Sequence, residues 1–332
     1  MKIAIVKQNC YQDLYCCKHN ASPRTKVLSS LSRVGSSGLF TMFNADMWIV
    51  EEEQDKECQI WTEKAITRSL TAYRKLAARH APYTVRCTDI NWGKYDVVIS
   101  LEVSVPARVT CKYPQVLWCY MISEPYMKHF SGPIVKGYDA RLNQSLGGKI
   151  AQKFGVVDFP YALIEPRSLL KFVEPTPAPF DREGVFQEPN SAAEKVSYAP
   201  LAKFGPIRRI VTKRDSPDHI EGTIRNLSLC KYYVKLGGRK VRGNSILEAI
   251  ACRNLVVGHQ DLLIYSKLLH ESLRVKNLKQ AAALMESLDA NKDQYVKLLT
   301  WQENQMSKFA VQRPLQSLKN LMALKSGKPH RS

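Results

Sequence analysis

The sequence predicts an α/β protein of two domains, each built on a parallel sheet. Three observations predict it. Residues 95–101 (YDVVISL) and 116–122 (VLWCYMI) are near-continuous apolar runs, the pattern of strands covered on both faces in a parallel sheet. Residues 232–259 (YYVKLGGRKVRGNSILEAIACRNLVVGH) read as strand, glycine-rich turn, helix and strand, a βαβ unit. Between these regions lies 173–183 (VEPTPAPFDRE), whose alternate prolines predict a stiff, extended boundary.

Length and composition agree. A chain of 332 residues suits two domains with a core in each. The expected division is an N-terminal domain over 1–172, the proline-rich linker over 173–183, a C-terminal domain over 184–325 and a basic tail over 326–332. Nine cysteines form no CxxC pair, and Cys16 and Cys17 are adjacent. That usage predicts reduced thiols and a cytoplasmic protein. Cys10, Cys16, Cys17 and His19 match no common zinc spacing, so no metal is predicted.

The net charge of +19 implies attraction to polyanions: nucleic acid, an acidic membrane surface or phosphorylated substrates. No nucleic-acid-binding motif accompanies it, so no specific nucleic-acid partner is expected. Basic residues concentrate at 213–215 (KRD) and at Lys325, Lys328 and Arg331. No apolar run approaches a membrane span. The opening MKIAIVKQNCY reads as one short strand and not as a signal peptide.

In chain order, 2–6 is a first strand and 7–20 a polar, Cys-rich loop at its carboxyl end. Residues 32–40 (SRVGSSGLF) form a Gly/Ser loop that is not GxGxxG and reads as a turn or as a mobile acceptor loop. Residues 45–50 are a weak strand. Residues 60–80 are a helix with Ile66, Leu70, Tyr73 and Ala77 on one face. Glu102 directly follows the apolar run 95–101, and Glu124 and His129 follow 116–122. Carboxyl ends of strands line the ligand crevice of an open α/β sheet. These three are therefore the candidates for a catalytic base or charge-stabilising group, with Glu124 first; each also reads as a solvated loop residue or helix cap. A strand-to-loop segment over 137–145, a helix over 145–154 and the segment 159–164 complete this half.

In the second half, 184–187 begins the new sheet and 189–203 is irregular. Residues 208–212 form a strand, with Lys213 and Arg214 at its end, and 220–229 form a helix. Lys213 and Arg214 read either as a solvated basic turn or as cations for a phosphate group. In the βαβ unit, Asn244 and Ser245 are good helix-starting residues. Free amides and the helix dipole at such a start favour an anion. Helices are expected over 261–269, 278–288 and 292–309, with a break at Pro314.

RGNSILEAIACRNLVVG resembles the donor-binding signature in the C-terminal domain of GT-B glycosyltransferases, where a Gly-rich turn leads to a helix reading LEAMACG and a strand reading PVV. The resemblance covers about thirty residues and implies a GT-B-like architecture, two Rossmann-type α/β domains facing across a cleft. It implies a nucleotide-sugar co-substrate and no cofactor. Glu248 matches the glutamate that binds the ribose. Lys235, Gly238, Arg242, Gly243, Asn244 and Ser245 belong to the stretch that holds the diphosphate. Two positions depart from the pattern: a second glutamate is replaced by Lys240, and the glycine after the Cys by Arg253.

The chain also lacks the DxD motif with which the other main glycosyltransferase architecture holds a divalent cation. The implied activity is metal-independent sugar transfer to a saccharide or glycolipid acceptor, with the basic charge permitting association with an anionic membrane. An inactive nucleotide- or polyanion-binding protein of the same fold, or a nucleotide-sugar epimerase, are the alternatives.

Overall fold

The computed structural model describes residues 1–8, 45–50, 86–101, 104–122, 137–143, 157–159, 176–187, 199–209, 219–236, 244–259 and 267–327. The chain divides into two compact units, residues 1–161 with 311–332, and residues 162–310.

The first unit holds a parallel sheet of β1 (Ile3–Gln8), β2 (Asp46–Val50), β3 (Val97–Leu101), β4 (Leu117–Ile122), β5 (Ala140–Asn143) and β6 (Val157–Asp158). Among the described residues the order is β2-β1-β3-β4-β5-β6, with parallel pairing throughout. The apolar runs form strands because both their faces are covered: Val97, Val98, Ile99, Leu117 and Cys119 are all buried.

An aromatic layer packs on one face. Trp92 meets Trp118 edge to face at 5.5 Å, and Tyr138 meets Tyr120 at 5.6 Å. Polar tips within it find partners. The Trp92 indole donates to the Cys87 carbonyl at 2.8 Å. The Tyr138 hydroxyl bonds Ser100 Oγ at 2.6 Å and accepts from the Val105 amide at 2.7 Å. A one-turn helix, α1 (Ala107–Thr110), precedes β4. Tyr95, expected at the start of β3, instead closes a short 3₁₀ turn and donates its hydroxyl to Asp46.

The second unit holds β7 (Val185–Gln187), β8 (Ile207–Arg209), β9 (Tyr232–Lys235), β10 (Leu255–His259) and β11 (Arg274–Val275) in the order β11-β10-β9-β7-β8, again parallel. Its helices are α2 (His219–Leu229), α3 (Asn244–Ala251), α4 (Leu278–Asp289) and α5 (Lys292–Ser307). Asn277 and Asn291 cap α4 and α5, each side-chain oxygen accepting an amide of the first turn at 3.0 Å. The helix expected over 261–269 does not extend to its last residues, since 267–269 form a turn.

The proline-rich run belongs to the second unit and is not a free linker. Arg182 is the reason. Its guanidinium is buried and donates to the Pro177 and Cys252 carbonyls at 3.1 and 2.7 Å and to Thr176 Oγ1 at 3.1 Å. The Cys252 carbonyl closes α3, where a cation is favoured. Phe180 packs on Tyr295 of α5 at 5.4 Å.

The end of the chain leaves the second unit. After α5 the chain runs through a π-helical segment, Lys308–Gln312, into α6 (Arg313–Lys325). Pro314 sits in the first turn of α6, where its missing N–H costs nothing. This helix belongs to the first unit. Lys325 fixes it there, donating to the Val116 carbonyl and to Asp139, both at 2.6 Å.

Both sheets are doubly wound. In each, the first strand lies inside, the second pairs on one side of it and the third on the other. The order therefore reverses between β1 and β3, and between β7 and β9. Open α/β sheets bind ligands outside the carboxyl ends of the strands at such a reversal.

Candidate functional site

The second unit's reversal lies at the carboxyl ends of β7 and β9, Gln187 and Lys235. The register aligns Gln187 with Val234, and Lys235 with Gly258 of β10. His259 ends β10 one residue further on and is half-buried. Residues 237–243 connect β9 to α3. They contain Gly238, Lys240, Arg242 and Gly243 and lie outside the described residues. Asn244 and Ser245 are the first two residues of α3.

The sequence makes α3 a buried helix. Ile246, Leu247, Ala249, Ile250 and Ala251 are all buried. One carboxylate interrupts this apolar surface: Glu248, only 1% exposed. Lys235 is likewise 1% exposed. Removing a charged group from water is costly unless other groups compensate it, and neither residue lacks a partner. A buried acid and a buried base therefore occupy the strand end and the helix of one βαβ unit, beside a sheet reversal.

The end of α3 explains one departure from the sequence pattern. Arg253 has φ of +64°. Its amide bonds the Ile250 carbonyl and the Asn254 amide bonds the Ala249 carbonyl, both at 2.9 Å. These two bonds form a Schellman motif, whose left-handed position is usually glycine. The glycine of the pattern thus answers a demand of the backbone and not of the chemistry. Here Arg253 accepts the conformation and pairs with Glu303 at 2.8 Å.

The structure brings together Lys235, Asn244, Ser245 and Glu248 on one βαβ unit. Lys213 and Arg214 lie outside the described residues, as do Glu102, Glu124 and His129. The strands before them are in place: β3 ends at Leu101, at the first unit's reversal, and β4 ends at Ile122. Cys10, Cys16, Cys17 and His19 are also outside. Among the described residues no group of three His, Cys, Asp or Glu side chains is placed to hold a metal ion. Among them no helix is long and apolar enough to cross a membrane. Gln187 was not singled out in the sequence. Nothing in VFQEPN distinguishes it from an ordinary strand end.

No protein-family model matches the chain, and no curated protein matches it. Among the solved structures to which it is similar are glycosyltransferases. One is a DNA-modifying beta-glucosyltransferase, determined with and without uridine diphosphoglucose. It is 10% identical, with 98% of this chain and 99% of that one covered, at a TM-score of 0.47. Another is an alpha-glucosyltransferase in complex with UDP-glucose and DNA containing an abasic site, 9% identical, with 97% and 99% covered, at 0.48. A third is HepE from Anabaena in complex with UDP, 9% identical, with 98% and 100% covered, at 0.46. The likeness is distant in each case.

Proposed function

We propose that this protein is a glycosyltransferase that moves a sugar from a nucleotide-sugar to a saccharide or glycolipid acceptor without a metal ion. The observation that carries this reading is the βαβ unit at the second sheet's reversal, with Lys235 and Glu248 buried at its strand end and on its helix. The signature over 242–258 assigns the roles. Glu248 accepts hydrogen bonds from the ribose hydroxyls. Lys235 and Arg242 offset the charge that grows on the leaving diphosphate. Gly238, Gly243, Asn244 and Ser245 bring amides and hydroxyls to the phosphate oxygens, and Lys213 and Arg214 add cations.

On the first unit, Glu124, Glu102 or His129 takes the acceptor's proton. The departure at Arg253 does not count against activity, because that position serves the backbone. We place the protein in the cytoplasm, a reading supported by Cys87, Cys111, Cys119, Cys230 and Cys252, which are free thiols. The net charge of +19 supports an anionic acceptor or an acidic membrane surface.

The test is a thermal-shift screen with UDP, GDP, ADP and their glucose conjugates, run on the natural chain, Glu248→Ala and Arg242→Ala. A probe at a hundred times its Kd stabilises by about 2.7 kcal/mol. The expected outcome is stabilisation by one nucleotide series that both variants lose. A folded protein that responds to none of these probes overturns the reading.

A further inference from the structure

Gln187, Asn254 and Gln302 are buried amide side chains of the second unit. Gln302 of α5 is fully satisfied. Its Oε1 accepts the Val256 amide at 3.0 Å, and its Nε2 donates to the Val256 and Leu268 carbonyls at 3.1 and 3.0 Å. In this way it completes the edge of β10, as a further strand would. Gln187 differs. It is 8% exposed, and its Oε1 is buried with no hydrogen-bond partner. A buried polar oxygen without a partner is costly, so its persistence calls for an explanation.

Position supplies one. Asn254 Oδ1 is the other buried side-chain oxygen without a partner among the described residues. It precedes β10, at the amino end of the sheet, and its amide nitrogen is fully used on the Leu227 and Cys230 carbonyls at 2.8 and 2.6 Å. Asn254 is therefore a structural tie. Gln187 is the last residue of β7, at the carboxyl edge, on the strand that borders the reversal and pairs with β9. Strand alternation fixes its face. Phe186 stacks on Tyr233 at 5.7 Å on one side, so Gln187 stands on the other, at the rim.

We propose that Gln187 is a further binding residue of the donor site, its Oε1 accepting a hydrogen bond from a hydroxyl or N–H group of the bound nucleotide-sugar. The inference rests on the glycosyltransferase reading above. A carbonyl oxygen repels phosphate oxygens. Its partner is therefore a hydroxyl of the ribose or of the sugar, or an N–H of the base. On this reading the donor supplies the partner that the protein's own groups do not. Preorganised acceptors of this kind discriminate well, because a ligand lacking the hydroxyl or N–H leaves the buried oxygen unpaired.

The test uses Gln187→Leu, close in volume and without polar atoms, and Gln187→Met as a second variant should the first fold poorly. Calorimetric binding and thermal unfolding are measured on both and on the natural chain, with UDP, GDP, ADP and the glucose conjugate of each as probes. The expected result has two parts. The free variants unfold at or above the natural midpoint, since an unpaired buried oxygen has been removed. They also bind the preferred probe roughly tenfold more weakly, the worth of one hydrogen bond. Weakening already present with the nucleoside diphosphate places the contact on the nucleoside, and weakening confined to the glucose conjugate places it on the sugar. Natural affinity in a folded variant overturns the role of Gln187 while leaving the donor site standing. No binding by the natural chain overturns both.

Discussion

Arg253 occupies a backbone position that ordinarily belongs to glycine. A left-handed conformation costs a residue with a Cβ about 1–2 kcal/mol, whereas its exposed ion pair with Glu303 returns about 0–1 kcal/mol. Arg253→Gly is therefore expected to raise stability by up to about 1 kcal/mol, measured by urea unfolding. Arg253→Val, β-branched and unpaired, is expected to lower it by more than about 1 kcal/mol. Equal losses in both variants would show that the ion pair outweighs the backbone. Neither substitution is expected to alter nucleotide binding, because the side chain lies at the far end of α3 from the glycine-rich turn. Glu248 behaves in the opposite manner. Its removal is expected to abolish binding whatever it does to stability.

Among the elements, β7 depends most on a single position. Gly184 precedes it with φ of +94°, and a Cβ there would lie 2.4 Å from the Pro206 carbonyl oxygen. Its carbonyl accepts the Lys231 amide at 3.1 Å and its amide bonds the Phe204 carbonyl at 2.7 Å, tying β7 to β9 and to the segment before β8. Gly184→Ala combines a disallowed conformation with a backbone clash. The expected loss is more than about 1 kcal/mol, with weakened nucleotide binding because Gln187 ends the same strand. Gln302→Leu tests α5 in the same way. It leaves the Val256 amide and carbonyl and the Leu268 carbonyl without their partner, and a loss of about 1–3 kcal/mol in urea is expected. In the first unit, Trp118→Ala opens the aromatic layer, with an expected loss of about 3–5 kcal/mol.

At the scale of the molecule, burial controls the response to alkali. It pushes the Cys230 thiol up to about 11 and the Cys252 thiol up to about 12, from an ordinary 9.0. It also raises Cys119, Tyr95, Tyr232 and Tyr295, the last three from an ordinary 10.0. A raised folded value means that the native state keeps protons which the unfolded chain releases. Stability from these groups is complete below about pH 9 and falls as pH rises toward 11 to 12. Urea midpoints are expected to decline steadily across that window, and a flat profile there would contradict the burial of these groups. The same burial predicts that iodoacetamide at pH 8 labels Cys111, which is exposed, and spares Cys87, Cys119, Cys230 and Cys252 until unfolding. The net charge of +19 predicts binding to phosphatidylserine vesicles at low salt that fades as ionic strength rises. Failure to bind at low salt would remove the membrane from the proposed acceptor environment.

The amino-acid sequence by itself determined the elements and the local chemistry of the candidate site. Runs such as VVIS and LWCYMI are apolar enough to define buried strands without reference to a partner. Glu248 stands out because it is the one carboxylate among the apolar residues that follow Asn244 and Ser245 in the helix. Only the tertiary structure decided the rest. Arg182, Gln302 and Lys325 each bond a group distant in the chain, and no local pattern records such a partner. This is why the proline-rich run reads as a linker yet packs within the second unit. The strand order β11-β10-β9-β7-β8, which sets Gln187 beside the end of β9, is likewise a matter of non-local pairing. Propensity and periodicity act over a few residues. The choice of neighbour is made by burying both faces of a sheet under right-handed crossovers, and that choice exists only once the chain has folded.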